Sequence, residues 1–268
     1  MSLIDTHCHL DAAEFDADRD EVVAAAKLGA GGTAVEVMVV PAVERANFGA
    51  VASVCRTYPG CAPSFGIHPM YVDRVRPEDL DALRETLQHQ PAVAVGEIGL
   101  DRHVQPRDDG QQMFWFRSQL ELARELGLPV LLHVRRAIDP ILKALREIPV
   151  PGGIAHAFNG SREQAEQFIK LGFKLGFGGA MTYPGSKRIR ALAATLPLEA
   201  IVLETDAPDI PPAWKPNGRN TPADLVPIAE TLAQLRGMPL MEIAARTRAN
   251  TLAVLPRLVN FIPHGEMP

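Results

Sequence analysis

The feature that most constrains the fold of this sequence is the alternation of short apolar segments with longer segments of helical periodicity. The short segments are rich in β-branched and other apolar residues, as parallel strands are. Eight such strands are predicted, at about residues 2–9, 33–40, 61–67, 92–98, 129–134, 152–158, 173–178 and 200–205. Helical patterns are predicted at 19–28, 43–57, 78–90, 111–126, 138–147, 162–171, 186–196, 223–236 and 240–255.

Eight strand–helix units in 268 residues predict a closed parallel barrel, because each pair of parallel neighbours needs a crossover helix. We therefore expect an α/β protein, a single (β/α)8 TIM barrel that spans residues 1–268 as one domain with an extra C-terminal helix. An open doubly wound sheet is the rival fold. It would bind phosphate through a glycine-rich loop, and neither G-x-G-x-x-G nor G-x-x-x-x-G-K-[ST] follows any predicted strand.

Charge and hydropathy limit the classes of partner. The formal net charge is −5, and no run of five Lys or Arg occurs, which argues against a large interface with duplex DNA. A strand end or a single strand stays open as a partner, because bound cations can supply local positive charge. No signal peptide and no apolar segment of about 20 residues is found, so we expect a cytoplasmic chain with no membrane contact. No obligate protein partner is evident.

Ionisable residues stand at the predicted ends of five strands, which is where a barrel carries its active site. His7 and His9 are two residues apart on the first strand, so both side chains leave from one face. The same alternation predicts that Val93, Val95 and Glu97 share a face. The matching pairs and triplet on the other strands are Leu131 and His133, Ile154 and His156, and Val202, Glu204 and Asp206.

If these faces line the barrel, four imidazoles and up to three carboxylates converge in one small volume. Burying so many ionisable groups is severely destabilising unless something compensates, and divalent cations are the obvious compensation. One ion uses at most three or four protein ligands while keeping an open position, so two divalent metal ions fit this set better than one. Mixed nitrogen and oxygen ligands suit Zn²⁺, Mn²⁺ and, more weakly, Mg²⁺.

The strings that carry these residues resemble the TatD family of metal-dependent hydrolases, within the amidohydrolase superfamily. The resemblance runs through nearly the whole chain in the order of the family. The matching strings are IDTHCHL at 4–10, GIHP at 66–69, GEIGLD at 96–101, PVLLH at 129–133, HAFNG at 156–160, LETDAP at 203–208 and RNTP at 219–222.

The resemblance implies a ligand set and an activity. It implies that His7, His9, Glu97 and Asp206 surround one metal ion and that Glu97, His133 and His156 hold the other, with Glu97 as the bridge. It also implies ester hydrolysis, with nucleases that trim DNA strands from an end among the members. The chain departs from the family's usual His-Cys-Phe-Ser-Gly string, because Ala157 and Asn159 replace Cys and Ser.

Several residues receive predicted roles. We hypothesise that Asp206 is both a metal ligand and the acceptor of a proton from the attacking water, with Glu97 as the second catalytic carboxylate. Glu204 is predicted to orient an imidazole, or else to form an internal ion pair. Arg135 and His68 are candidate substrate contacts, with a surface role and a loop-packing role as their alternatives.

Aromatic and histidine side chains outside these strings carry weaker signals. Trp214 follows the eighth strand in a proline-rich stretch and either stacks on a base or plugs the loop. His89, His103 and His264 are predicted to be surface residues.

The leading function is a metal-dependent phosphodiesterase or deoxyribonuclease of the 3'-5' exonuclease type that uses a water activated by two metal ions. Its expected partner is nucleic acid, as DNA ends or single strands. The alternative within enzymes is an amidohydrolase acting on a small carboxyl ester, lactone or amide, because the ligands do not specify the electrophile. A metal-binding protein without activity is the third interpretation.

Overall fold

The computed structural model describes residues 1–103, 105 and 108–263. The eight strands are β1 Ser2–Asp5, β2 Ala34–Pro41, β3 Cys61–Ser64, β4 Val95–Asp101, β5 Val130–Arg135, β6 Gly153–Ala155, β7 Phe173–Phe177 and β8 Ile201–Leu203. The helices are α1 Arg19–Leu28, α2 Phe48–Thr57, α3 Glu78–His89, α4 Asp109–Leu126, α5 Ile138–Glu147, α6 Arg162–Lys170, α7 Lys187–Thr195, α8 Leu225–Arg236 and α9 Leu240–Val254.

All neighbouring strands pair in parallel, in two groups that run β1-β2-β3 and β4-β5-β6-β7-β8. Parallel bridges join the groups at both seams, from Phe65 to Val95 and from Cys8 to Ala207. The strands therefore form a ring in chain order. The predicted (β/α)8 barrel is confirmed, and so is the extra helix, because α9 follows the helix that completes the eighth unit.

Two apolar layers hold the barrel together. The inner layer fills the ring with residues such as Leu131, Ile154 and Val202, and the outer layer packs the strands against the helices. Leu255 and Leu258, which follow α9, belong to the inner layer. The C-terminal segment therefore closes the end of the barrel opposite the carboxyl ends of the strands, and this leaves the other end open for polar side chains.

Alternation along the strands predicts the inner face correctly on β5, β6 and β8 but not on β4. Val93 lies in the inner layer and Val95 in the outer one. The pairing of β4 with β5 shifts register between Val95 and Ile98. The side chain of Glu97 is therefore directed to the barrel mouth by an irregularity, and the predicted shared face of Val93, Val95 and Glu97 is wrong.

Boundaries differ in further places. β3 and β6 each end three residues earlier than predicted, so His156 stands just beyond β6. β1 ends at Asp5, so His7 and His9 stand on the segment beyond the strand and not within it. β4 runs on to Asp101. The helix predicted from residue 43 begins at Phe48, because a 3-10 turn precedes it.

The remaining surface predictions are partly tested. His89 and His103 are exposed, as predicted, and His264 lies outside the described residues. Among those residues, no helix has the length and apolar character needed to cross a membrane.

The closure of the barrel floor gives a prediction about stability. Leu258→Ala is expected to lower the free energy of unfolding by about 2–5 kcal/mol, because Leu258 is 0% exposed and its loss leaves a cavity. Val259→Ala is the matched control, since Val259 is 57% exposed and its truncation should cost less than about 0.5 kcal/mol. Urea unfolding measures both variants, and equal costs would contradict this account of the floor.

Candidate metal centre

Strand ends place the first two histidines opposite the end of β8. The backbone N–H of Asp206 donates to the His7 carbonyl at 2.8 Å, and the N–H of His9 donates to the Ala207 carbonyl at 2.8 Å. Beneath them the buried carboxylate of Asp5 accepts from the N–H groups of His7, at 3.2 Å, and Thr205, at 3.0 Å. These bonds fix the segment after β1 against the segment after β8.

The Glu97 carboxylate lies at the middle of the cluster, and its two oxygens face different sets of side chains. Oε2 is 3.1 Å from His7 Nε2 and 3.6 Å from His9 Nε2. Oε1 is 2.9 Å from His133 Nδ1 and 3.6 Å from His156 Nε2. Glu97 is 2% exposed, so a single buried carboxylate connects all four predicted imidazoles.

Asp206 completes the first set. Its Oδ1 lies 3.7 Å from both His7 Nε2 and His9 Nε2, which are themselves 3.3 Å apart. The residue adopts a φ of 60°, in the left-handed region that Asp tolerates better than most side chains. The structure thus brings together all six predicted ligand residues.

Two further carboxylates lie behind the imidazoles. Glu204 Oε1 is 3.4 Å from His156 Nδ1 and accepts the N–H of Ala157 at 2.5 Å. Glu204 has this room only because residue 176 is glycine, where an added Cβ would lie 2.0 Å from Glu204 Oε2. Asp101 Oδ2 is 3.0 Å from His133 Nε2. The sequence pattern did not single out Asp101, which ends the GEIGLD string.

His68 joins the cluster, with Nε2 at 3.6 Å from Glu97 Oε1. Its Nδ1 accepts the N–H of Met70 at 3.2 Å. Because Nδ1 is an acceptor, the neutral ring carries its proton on Nε2 and presents a donor to the centre. His68 therefore differs from His133 and His156, each of which has a carboxylate behind the nitrogen that faces away from Glu97.

The pKa values in the cluster reflect burial opposed by close charges. Burial lowers the pKa of the His7 imidazole. Burial also disfavours ionised Glu97, yet the neighbouring imidazoles, His7 first, hold the pKa of its carboxyl well below the usual range. Burial would lower the pKa of His156 too, but the carboxylates of Asp206 and Glu204 raise it to about 10. A cation at His156 Nε2 would thus compete with a proton.

The donor atoms fit a divalent metal ion. Two ligands about 2.1 Å from one ion at a tetrahedral angle are about 3.4 Å apart, close to the spacings of His7 Nε2 from His9 Nε2, 3.3 Å, and from Asp206 Oδ1, 3.7 Å. Three groups offer ligand atoms within 4.8 Å of one another: His7, His156 and Asp206; His7, His9 and Glu97; and His68, Glu97 and His133. His133 and His156 share no such group, and their ring centroids are 6.2 Å apart. The buried Oε2 of Glu204 has no hydrogen-bond partner in the described chain.

Comparison with known proteins agrees with this geometry. The model of the family described as TatD related DNase matches residues 4–256. The chain belongs to this family.

Two relatives and one solved structure are similar to this chain over nearly its whole length. The uncharacterized metal-dependent hydrolase YjjV of Escherichia coli is 38% identical over 252 residues, which cover 92% of this chain and 95% of YjjV. Its crystal structure has a TM-score of 0.90 and covers 95% of this chain and 98% of that one. The 3'-5' ssDNA/RNA exonuclease TatD of Erwinia billingiae is 34% identical, covering 88% of this chain and 92% of that protein.

A cavity of about 1280 Å³ opens above the cluster. His68 and Arg135 line it, and Arg135 is exposed with Nη1 3.8 Å from Asp101 Oδ2. Trp214 is not among the lining residues, and its indole N–H donates to Asp224 Oδ1 at 2.9 Å. That bond ties Trp214 into the loop after β8, where the residue is 43% exposed and is therefore not a buried plug.

The cluster predicts that a divalent cation stabilises the fold. Zn²⁺ or Mn²⁺ at 100 times its dissociation constant should add about 2.7 kcal/mol, or roughly 5–10 °C in Tm, to metal-stripped protein. Glu97→Gln should lose most of this shift, while His89→Ala, which alters an exposed histidine on α3, should keep it. Differential scanning calorimetry measures the shift, and an equal response from both variants would show that the ion binds elsewhere.

Proposed function

We propose that this protein is a two-metal phosphodiesterase that acts on nucleic acid, as a deoxyribonuclease of the 3'-5' exonuclease type. The observation that supports this most strongly is that the two carboxylate oxygens of Glu97 contact different histidines. Oε2 faces His7 and His9, while Oε1 faces His133 and His156. A carboxylate whose two oxygens each face a separate set of ligand imidazoles is suited to bridge a pair of ions.

The proposed ligands follow from the two sets of side chains that face the two Glu97 oxygens. His7, His9, Glu97 and Asp206 would hold one ion. Glu97, His133 and His156 would hold the other, for which the two imidazoles, which share no close ligand group, would have to approach each other. When bound, such ions polarise a phosphoryl oxygen, lower the pKa of water and neutralise charge on the attacking and leaving oxygens.

Asp206 is the proposed proton acceptor. Hydrolysis forms a bond from a water oxygen to phosphorus and breaks the bond from phosphorus to the leaving ester oxygen, which keeps the electron pair of that bond and takes a proton from solvent. The proton released by the water passes to the Asp206 carboxylate, which lines the cavity beside His9. Glu97 keeps the two ligand sets in position relative to each other and takes no part in the proton transfer.

The carboxylates behind the imidazoles act as positioning residues. His133 Nε2 lies 3.0 Å from Asp101 Oδ2, so an Nε2–H would donate to Asp101 and leave Nδ1, which faces Glu97, available to a metal ion. Glu204 lies behind His156 more loosely, since its Oε1 is 3.4 Å from Nδ1, which has no hydrogen-bond partner among the described residues, while Nε2 faces the centre. Such pairs fix the tautomer and raise the basicity of a ligand imidazole.

Two cavity residues are proposed to contact the phosphate. His68 presents an Nε2 donor to the centre because Met70 occupies Nδ1. Arg135 lines the same cavity and offers a guanidinium that can pair with two phosphate oxygens. Nucleic acid as the substrate is supported by the Erwinia billingiae relative, named a 3'-5' ssDNA/RNA exonuclease.

Reaction of metal-stripped protein with three substrates tests the proposal. Single-stranded DNA, a simple phosphodiester and a carboxyl ester are each incubated before and after addition of Mg²⁺, Mn²⁺ or Zn²⁺. Metal-restored release of nucleotides is expected. Cleavage of the ester alone would replace the proposal with amidohydrolase chemistry, and no cleavage of any substrate would favour a metal-binding protein without activity.

Removing the proposed proton acceptor should abolish most turnover. Asp206→Asn is expected to lower kcat at least about 100-fold, because the amide cannot take up the proton and is a weaker ligand. Asp81→Asn is the matched control, since Asp81 is exposed on α3, does not line the cavity, and its loss also removes one negative charge. Its kcat should stay within about threefold of wild type. An Asp206→Asn variant with full activity would remove the role.

A further inference from the structure

The mouth of the cavity has an uneven distribution of charge. Loops that follow β1 and β8 contribute acidic side chains to it, namely Asp11, Glu14 and Asp209. The side of β4 to β7 contributes four arginines, namely Arg102, Arg135, Arg136 and Arg188, against one carboxylate at the mouth, Asp139. A polyanion that enters the cavity is therefore attracted to one side of it.

Arg188 differs from the other arginines in how it is held. Asn159 Oδ1 accepts two hydrogen bonds from its guanidinium, from Nε at 3.1 Å and from Nη2 at 2.7 Å. Arg102 and Arg135, by contrast, lie near carboxylates. Within the described chain no carboxylate forms an ion pair with Arg188. The side chain is restrained by a neutral acceptor, so its full charge remains available.

The topology explains how the two residues meet. Asn159 stands on the segment after β6, and Arg188 is the second residue of α7, which follows β7. β6 and β7 are paired neighbours, so their loops lie side by side at the mouth. Two bonds to one oxygen restrict a side chain that otherwise loses about 2 kcal/mol of rotamer entropy when a ligand immobilises it.

The same contact accounts for a departure from the family pattern. The string at 156–160 is HAFNG, with Asn159 where the resemblance leads one to expect Ser. An Asn side chain places its acceptor oxygen one atom farther from the backbone than Ser does, and it keeps an acceptor with two lone pairs. Asn159 can therefore reach the Arg188 guanidinium across the gap between the loops.

We propose that Arg188, positioned by Asn159, binds a second phosphate of the substrate, one nucleotide removed from the bond that is hydrolysed. Both residues line the same cavity as the metal-site cluster, and their mutual hydrogen bonds lie outside that cluster. The inference rests on the proposed function, since it assumes a nucleotide strand. The contact of Arg188 with a second phosphate makes the protein bind a nucleotide strand more tightly than a diester with a single phosphate.

Binding of short phosphorothioate-linked thymidine strands tests this selectivity, because these analogues keep their charge and are slow to hydrolyse. Titration calorimetry with metal-loaded protein gives Kd for a dimer with one linkage and a trimer with two. Arg188→Ala should reduce the preference for the trimer about tenfold, which corresponds to about 1.4 kcal/mol. Lys187→Ala removes the neighbouring charge, does not line the cavity, and should leave the preference unchanged.

Asn159→Ser tests the positioning role. It should reduce the preference for the trimer about threefold on its own and should have no further effect in the Arg188→Ala background, because Asn159 acts through Arg188. The inference is overturned if Arg188→Ala keeps the wild-type preference, if Lys187→Ala reduces it equally, or if the two effects simply add. Hydrolysis of the corresponding phosphodiester strands by wild type is a separate assay, so its failure would count against the proposed function alone.

Discussion

The site depends on one buried carboxylate placed among imidazoles. Glu97 is 2% exposed, and ring nitrogens of His7 and His133 lie 3.1 and 2.9 Å from its two oxygens. An isolated carboxylate at such a position would be neutralised by a proton, because desolvation disfavours its charged form. The surrounding imidazoles keep the Glu97 carboxylate ionised. The carboxylate in turn holds the imidazole rings around it. Each group is tolerated only because the others are present.

The barrel separates the parts of the chain that stabilise from the parts that react. Its floor is apolar and is closed by Leu255 and Leu258, while the opposite end carries the ionisable groups. At that end Asp5 joins the segments after β1 and β8, because its buried carboxyl accepts bonds from both. Burial raises the pKa of Asp5 to about 7, so this junction is held by a group that ionises reluctantly.

Much of this arrangement could be predicted from the sequence, because alternation and strand order fix which residues reach the mouth. The barrel followed from eight strand–helix units. Strand ends supplied four imidazoles and up to three carboxylates, from which the family resemblance selected the six ligand candidates. The role of Asp101 did not follow, since a carboxylate that ends a strand has the same local pattern whether or not it reaches His133. Nor did the register shift near Glu97, which depends on pairing with a strand about 35 residues later in the chain.

The contacts that we propose for substrate binding were the least predictable. Asn159 and Arg188 are 29 residues apart, and only the packing of neighbouring loops brings them together. His68 was a candidate from its string alone, but the proton on Nε2 follows from a hydrogen bond to Nδ1 that the sequence does not reveal.

Anomalous diffraction from crystals soaked in Mn²⁺ or Zn²⁺ tests the central claim most directly. The account predicts two peaks, one on each side of the Glu97 carboxylate, with His7 and His9 beside one and His133 and His156 beside the other. A single peak with one Glu97 oxygen left free, or no peak within reach of Glu97, would contradict it.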